Sequence, residues 1–557
     1  MDNNPRIPAL PWILIAAVLG VVGAALLIAL EPSAAASRVL VIIAVAAAVG
    51  AGLAWIVGQW RYLPERWYWQ SAAVGTGMFI ASMVVMLGLI QAFDAFTTPR
   101  SAPAVVAAAT VAEPYTWVQL TGEKPGERRS TVRSIVPANA PCPMLVLDGQ
   151  ERPMVARRSV APAAFPVVVC ELSYDSGATV QVAGHVLPAR PRQLNRVLVI
   201  GDTGCRIVYY RAAQDCMRDK EWPFKVIAQV AAAMPRPDLI VHVGDYHYRE
   251  SPCTQPDRCG ASPYGDSWGA WSEDFFQPAA SLLRLAPWVM VRGNHEDCQR
   301  AGVGWFFLLA PPSDVTPVRA CQADGSTKAS TYPFGYALSF GDVVLQVLDT
   351  AHAEDDYGRF ERAAAYAANF KALTDSADKT MPQATWRWVL LHQPLWGGSN
   401  LRTNGDTASE TDSIAELHDA IERSGVASLS EPARDVFKNM VDPLSALRPL
   451  VAGPALVLSG HVHAFEAFMA GKTEPAQLVI GATGDALDDP EVLGMDITKE
   501  RTAKLFNRDG RLWGGVGFGF LVLERKGATT EWTATFHDRG GAAVLRCDIE
   551  SRICAKA

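Results

Sequence analysis

Five short segments of this chain carry side chains that hold metal ions well. They are Gly201-Asp202-Thr203-Gly204, Gly244-Asp245-Tyr246-His247-Tyr248, Gly293-Asn294-His295-Glu296, Val389-Leu390-Leu391-His392 and Gly460-His461-Val462-His463. Carboxylate and phenolate oxygens suit a hard cation, while imidazole suits zinc, iron and other transition ions. A glycine ahead of the donor lets the chain turn sharply and lets backbone approach a ligand. A carboxylate has two oxygens and can bridge, so this many donors fits a pair of ions about 4 Å apart better than one ion. Two such ions stabilise both oxygens of an in-line displacement and deprotonate a water near neutral pH. A single Gly-Asp usually marks a turn, and a single strand-end histidine is usually a satisfied core residue. The weight lies in finding five in order, each after a buried strand.

The strands that must present them are visible. Apolar runs at Arg196–Ile200, Leu239–Val243, Trp288–Val291, Val343–Leu348, Trp388–Leu391 and Ala455–Leu458 read as fully buried strands. Phe224–Met234 and Phe360–Leu373 have helical spacing between them. That alternation predicts an α/β domain whose helices cover the sheet, with ligands bound past the strand ends. Val516–Glu524, Thr530–His537 and Ala542–Asp548 read as successive antiparallel strands completing a layer of the same domain. Upstream, Thr131–Ile135, Met144–Leu147, Pro166–Leu172 and Thr179–Leu187 alternate between Pro and Gly punctuation, as in a small β-sandwich-like module.

The motif series resembles the calcineurin-like metallophosphoesterases, and within them the purple acid phosphatases, whose pattern is GDxG, GDxxY, GNH[D/E], VxxH and GHxH. All five are matched here, over roughly residues 196–480. Many relatives have a histidine two residues after the first aspartate; here that position is Gly204, and Tyr248 supplies the ligand instead. The resemblance implies one ion on Asp202, Tyr248 and His463, a second on Asn294, His392 and His461, and Asp245 bridging them. It implies Fe(III) in the first position and Fe, Zn or Mn in the second, and a tyrosinate suits a hard trivalent ion. It implies a phosphate-ester substrate attacked by a metal-bound hydroxide, with His295 stabilising the phosphoryl oxygens or protonating the leaving alkoxide. It also implies the fold: an α/β metallophosphoesterase sandwich of β-sheets flanked by helices.

The first 95 residues are of another kind. Ile7–Leu30, Val39–Trp60 and Ser71–Phe93 contain no charged residue, and each is near the roughly 20 residues a helix needs to cross a bilayer. Trp12, Trp55, Trp60, Trp67 and Trp69 sit near their ends, as interfacial anchors do. Arg6, Arg61 and Arg66 on one side against Arg38 and Arg100 on the other favour an inside N-terminus. Three spans then leave the remainder outside the cytoplasm. Ser33-Ala34-Ala35-Ala36 also offers small residues for signal cleavage, although the apolar run before it is long for a signal. The spans hold no Asp, Glu, Lys, Arg or His, which suits an anchor and disfavours a transporter.

All ten cysteines follow the spans, as expected of an oxidising compartment, with Cys253/Cys259 and Cys547/Cys554 the neighbouring pairs. No C-x-x-C spacing occurs. The composition, 49% hydrophobic and 19% charged, excludes a disordered chain. A formal net charge of −7 argues against nucleic-acid binding through a basic surface.

The expected organisation is a three-helix membrane anchor over residues 1–95, a linker over 96–115, a small β-rich module over 116–190 and the catalytic domain over 191–557. Ser251–Trp271 and Gly397–Leu447 follow strand ends and are expected to border the crevice. His247 lies inside the second motif but is left outside the core set, His242 reads as buried, and Glu296 reads as orienting a neighbour. The expected function is a membrane-anchored, plasma-membrane phosphoesterase with an extracytoplasmic catalytic domain. The alternative is a metal-binding sensor or scaffold of the same fold with little turnover.

Overall fold

The computed structural model describes residues 114–557 except 123–127, 160, 176, 313–320, 322–334, 354–357, 383, 398–400, 405–406, 411–439, 442–443, 454, 489–495 and 507. The chain divides into two compact units, Met1–Arg100 and Ser101–Ala557. The three expected spans lie outside the described residues. Among the described residues no helix is long and apolar enough to cross a membrane.

Residues alternate sides along a strand, and here both sides are buried. In the Arg196–Ile200 strand, Val197 and Val199 enter one core with Leu456, Leu458, Leu478 and Ile480. Leu198 and Ile200 enter a second core with Phe224, Ile227, Ala228 and Ala231. Val389, Leu391, Val457 and Val479 form a third core with Tyr366 and Phe370. The result is two sheets face to face, each covered by helix on its outer side. Burial on both faces is why these strands read as unbroken apolar runs.

One sheet has 11 strands and the other 10. At the centre of the first, Arg196–Ile200, Leu239–His242 and Trp288–Met290 run parallel. At the centre of the second, Val343–Leu348, Trp386–Leu390, Ala455–Ser459 and Ala476–Ile480 run parallel. Gly519–Arg525 pairs antiparallel with the Arg196–Ile200 strand. Trp532–Asp538 and Ala543–Asp548 follow as an antiparallel meander, as expected, and Ile553–Lys556 adds a further strand.

The segment expected as a small β-sandwich-like module is largely an extension of the first sheet. Tyr115–Gln119 pairs in parallel with Trp288–Met290, and Arg129–Pro137, Val167–Asp175 and Val155–Arg157 continue outward from it. Only Met144–Leu147, Gln150–Pro153, Val180–Val182 and His185–Val186 form a separate four-stranded sheet. Local alternation reveals a strand but not which sheet edge receives it. Fully buried Arg133 ties the extension down, bonding Glu171, Gln119 and the carbonyls of Leu308 and Ala310.

The helix Phe224–Ala233 shows the fit of pattern to packing. Its buried residues Phe224, Ile227, Ala228 and Ala231 follow the i, i+3, i+4, i+7 spacing of a core-facing stripe. Met234 is extended at its end, as a residue before Pro235 must be.

Candidate metal centre

Each expected donor lies just past the end of a central parallel strand, and the two sheets bring them to one edge. Asp202, Asp245 and Asn294 come from the first sheet; His392, His461 and His463 come from the second. Three of them hold left-handed backbone, with φ of 53° at Asp202, 59° at Asp245 and 74° at His461. Such conformations cost about 1–3 kcal/mol each and persist only where neighbours dictate them. Here neighbours do. The Asp202 amide donates to the Gly244 carbonyl at 3.0 Å, and the Thr203 amide donates to the Asp245 carbonyl at 3.0 Å. The His461 amide donates to both Asp202 carboxylate oxygens, at 3.2 and 3.1 Å.

The donors fall into two groups sharing Asp245. In the first, the Tyr248 phenol oxygen stands 3.0 Å from Asp202 Oδ1, 2.8 Å from Asp245 Oδ2 and 2.9 Å from His463 Nε2. In the second, Asn294 Oδ1 stands 2.9 Å from His392 Nε2 and 3.0 Å from His461 Nδ1. His392 Nε2 is 3.0 Å from Asp245 Oδ2. Adjacent donors on one ion with bonds of about 2.1 Å stand about 3 Å apart, so each group has the spacing of one coordination shell. Asp245, His392 and His461 alone already converge tightly enough for a metal.

The electrostatics fit cations in the same places. Asp202, Asp245 and Tyr248 are essentially inaccessible. Burial opposes the charged form of Asp245, but His392 and then His295 hold its carboxyl well below the usual range. Burial opposes the charge on His392 as well; Asp245 nevertheless raises that imidazole to about 9. Nε2 therefore carries a proton that a bound cation replaces. His392 Nδ1 donates to the Val243 carbonyl at 2.9 Å, which fixes Nε2 as the donor atom toward a metal. Burial first, then the Asp202 and Asp245 carboxylates, push the Tyr248 phenol well above its ordinary value. It becomes phenolate only against a strong, hard cation.

Glycine is required by close approach. A side chain at Gly293 would run into the Asp245 carboxylate. At Gly204 a Cβ would stand 2.8 Å from the Tyr248 amide nitrogen and 2.9 Å from Asp274 Oδ2. Any side chain there would meet the Tyr246–Tyr248 backbone and the Asp274 carboxylate.

Several further residues hold the donors in place. Glu296, read as an orienting residue, accepts the amides of Asp245, Tyr246, His247 and Gly293 at 2.8–3.2 Å. Burial and then Asp245 push its carboxyl up to about 8. Buried Asp274 accepts the amides of Cys205, Tyr248 and Arg249 and the Arg249 side chain. Glu250 Oε1 lies 2.6 Å from His295 Nδ1. Burial would raise that carboxyl, yet His295 holds it at about 2. His295 Nε2 is 4.0 Å from Asp245 Oδ2, and its ring centroid is 4.0 Å from that of Tyr248. Arg206, Asp485 and Asp488 gather around His463. Nothing local in the sequence marks Asp274, Glu250, Arg206, Asp485 or Asp488 as partners, and Arg206 lies 257 residues from His463 in the chain.

Three other described histidines bond groups outside the donor set. His242 is buried between Thr203 Oγ1 and the Gly244 amide. His247 contacts the Gly265 carbonyl at 3.0 Å and is 1% exposed. His537 contacts the Gly541 carbonyl, and His418 lies outside the described residues. Ser251–Trp271 packs back on the donor loop, the Gly265 amide bonding the Arg249 carbonyl at 2.8 Å. Most of Gly397–Leu447 lies outside the described residues. A cavity of about 680 Å³, lined in part by Trp222, Lys225, Arg249 and Glu273, includes none of the donors.

All ten cysteines are paired: Cys142–Cys170, Cys205–Cys216, Cys253–Cys259, Cys298–Cys321 and Cys547–Cys554. The two pairs expected from sequence are among them.

No curated protein matches the chain at a significant level. Among solved structures it is similar to a purple acid phosphatase, PPD1, from yellow lupin (Lupinus luteus) seeds. That likeness has a TM-score of 0.45 and 13% identity, over 78% of this chain and 74% of that one. It is also similar to PhoD, with a TM-score of 0.43 and 11% identity, over 79% of this chain and 91% of that one. Residues 195–465, which span every donor from Asp202 to His463, match the calcineurin-like phosphoesterase family. The segment that builds this centre is therefore a calcineurin-like phosphoesterase domain.

Proposed function

We propose that the chain is a membrane-anchored phosphoesterase of the purple acid phosphatase type, holding two metal ions and acting outside the cytoplasm. The observation that carries this reading is the pair of donor groups meeting at Asp245, with donors 2.8–3.4 Å apart. Asp202, Tyr248 and His463 would hold one ion, Asn294, His392 and His461 the other, with Asp245 shared. Two ions at such a site polarise a phosphoryl group and make water a competent nucleophile at neutral pH.

The chain's own residues supply the rest. The His295 amide donates to Asp245 Oδ1 at 2.9 Å, fixing the start of the helical turn that carries the ring. Glu250 holds Nδ1, leaving Nε2 on the donor side to give a proton to the leaving oxygen. Tyr248 favours a hard trivalent ion, iron above all, in the first position. The three uncharged runs before residue 94 and five disulfides support anchoring with the domain in an oxidising compartment.

The test is Asn294→Ala combined with His392→Ala in the full chain, assayed on p-nitrophenyl phosphate. Loss of hydrolysis with the circular dichroism spectrum intact is expected. Hydrolysis at the wild-type level would overturn the assignment.

A further inference from the structure

The donor residues leave one strong cation unexplained. Arg206 follows the first aspartate by four positions, and its guanidinium lies among the first-group donors. Its Nη2 is 2.7 Å from His463 Nδ1, its Cζ is 5.5 Å from the centroid of the Tyr248 ring, and it pairs with Asp485. Asp485 is fully buried and fixed by its own amide, which donates to the Asp202 carbonyl at 2.8 Å. Among the described residues, the guanidinium's hydrogen bonds and ion pairs all run through Nη2, and the side chain keeps 13% of its surface exposed.

An ion held on His463 Nε2 would compete with the contact between Arg206 and His463. A neutral imidazole giving Nε2 to an ion carries its proton on Nδ1, and an N–H cannot accept from Nη2. That proton has an acceptor waiting in Asp488, whose Oδ1 is 3.5 Å from Nδ1 and whose Oδ2 accepts the His463 amide at 2.9 Å. Arg206 would then keep its pair with Asp485, with Nε and Nη1 outside the bonds described.

We propose, building on the phosphoesterase reading above, that Arg206 is a phosphoryl-binding residue anchored by Asp485, and that it directs the site to phosphate monoesters. A monoester presents three non-bridging oxygens and up to two charges; a diester presents two oxygens and one charge. The extra oxygen and charge are what a fixed guanidinium recognises, through short charge-assisted bonds. His295 and Arg206 both pack on Tyr248, so an acid for the leaving oxygen and a cation for the phosphoryl group stand on the same phenol.

The experiment uses the full chain in detergent, with Arg206→Gln and the milder Arg206→Lys. Metal content is measured with inorganic phosphate affinity and with kcat/KM on p-nitrophenyl phosphate and bis-p-nitrophenyl phosphate. Arg206→Gln is expected to keep its ions and to weaken phosphate binding roughly 10- to 100-fold, the worth of one bond to a charged group. Monoester kcat/KM falls with it while diester kcat/KM changes far less, and Arg206→Lys lies between. Retained ions with unchanged phosphate affinity, or equal losses on both esters, would overturn the role of Arg206 and leave the metal centre standing. A folded wild-type chain without ions would overturn the phosphoesterase reading and this proposal with it.

Discussion

His295 Nδ1 and Glu250 Oε1 stand 2.6 Å apart, although the two residues lie on loops from different strands. That contact turns Nδ1 toward Glu250 and leaves Nε2 on the side of Asp245, the nitrogen that the proposed acid would use. Arg300, 3.8 Å from the same oxygen, braces Glu250 from behind.

Glu250→Gln should therefore lower kcat by about 10-fold or more, the scale of a mispositioned general acid, with KM and metal content little changed. Steady-state kinetics beside metal analysis checks this. A drop in metal content instead would make Glu250 part of the metal scaffold.

Gly293→Ala should damage the centre without touching a donor. The added methyl would meet the Asp245 carboxylate, and relieving that overlap costs about 1–3 kcal/mol of overpacking. Thermal unfolding should show the loss of stability, and metal analysis a weakened second ion. A variant with wild-type stability and two ions would contradict the close packing described.

Tyr248→Phe removes the only phenol among the donors. If the first ion is iron on tyrosinate, the wild-type protein absorbs visible light and the variant does not. A visible band that survives the substitution would remove Tyr248 from the first group.

One pH effect lies far from the metals. Burial lowers the affinity of His537 for a proton, the Gly541 carbonyl accepting from Nδ1 at 3.0 Å offsets part of that, and Arg196 lowers it further. Its folded value is thus below the ordinary 6.5. The unfolded chain binds the extra proton first, so the stability from the neutral ring is full above about 6.5 and is lost as the pH falls below it. His537→Gln should flatten the fall in Tm between about pH 6.5 and 5 relative to wild type. An unchanged slope would show that His537 is not perturbed.

The donors were legible because each is a polar residue placed after a strand buried on both faces, a contrast that survives in one dimension. Arg196–Ile200 and Val343–Leu348 have the same ends in sequence and structure. Asp274, Asp485, Asp488 and Glu250 were not legible as partners of Tyr248, His463 and His295, because each sits in an ordinary polar stretch and acts through a distant contact. The strand Tyr115–Gln119 was equally hidden. Its parallel pairing with Trp288–Met290 joins residues about 170 positions apart, and no local alternation encodes that choice. Cysteines show the same limit: the pairs 6 and 7 residues apart could be guessed, while Cys142–Cys170, 28 apart, could not.

The central claim is a two-ion centre, and the most direct measurement is metal content per chain in the full-length protein purified without chelator. Two ions per chain in wild type, falling to about one in Asn294→Ala with His392→Ala, is the predicted result. A well-folded wild-type chain that carries no metal would contradict the account.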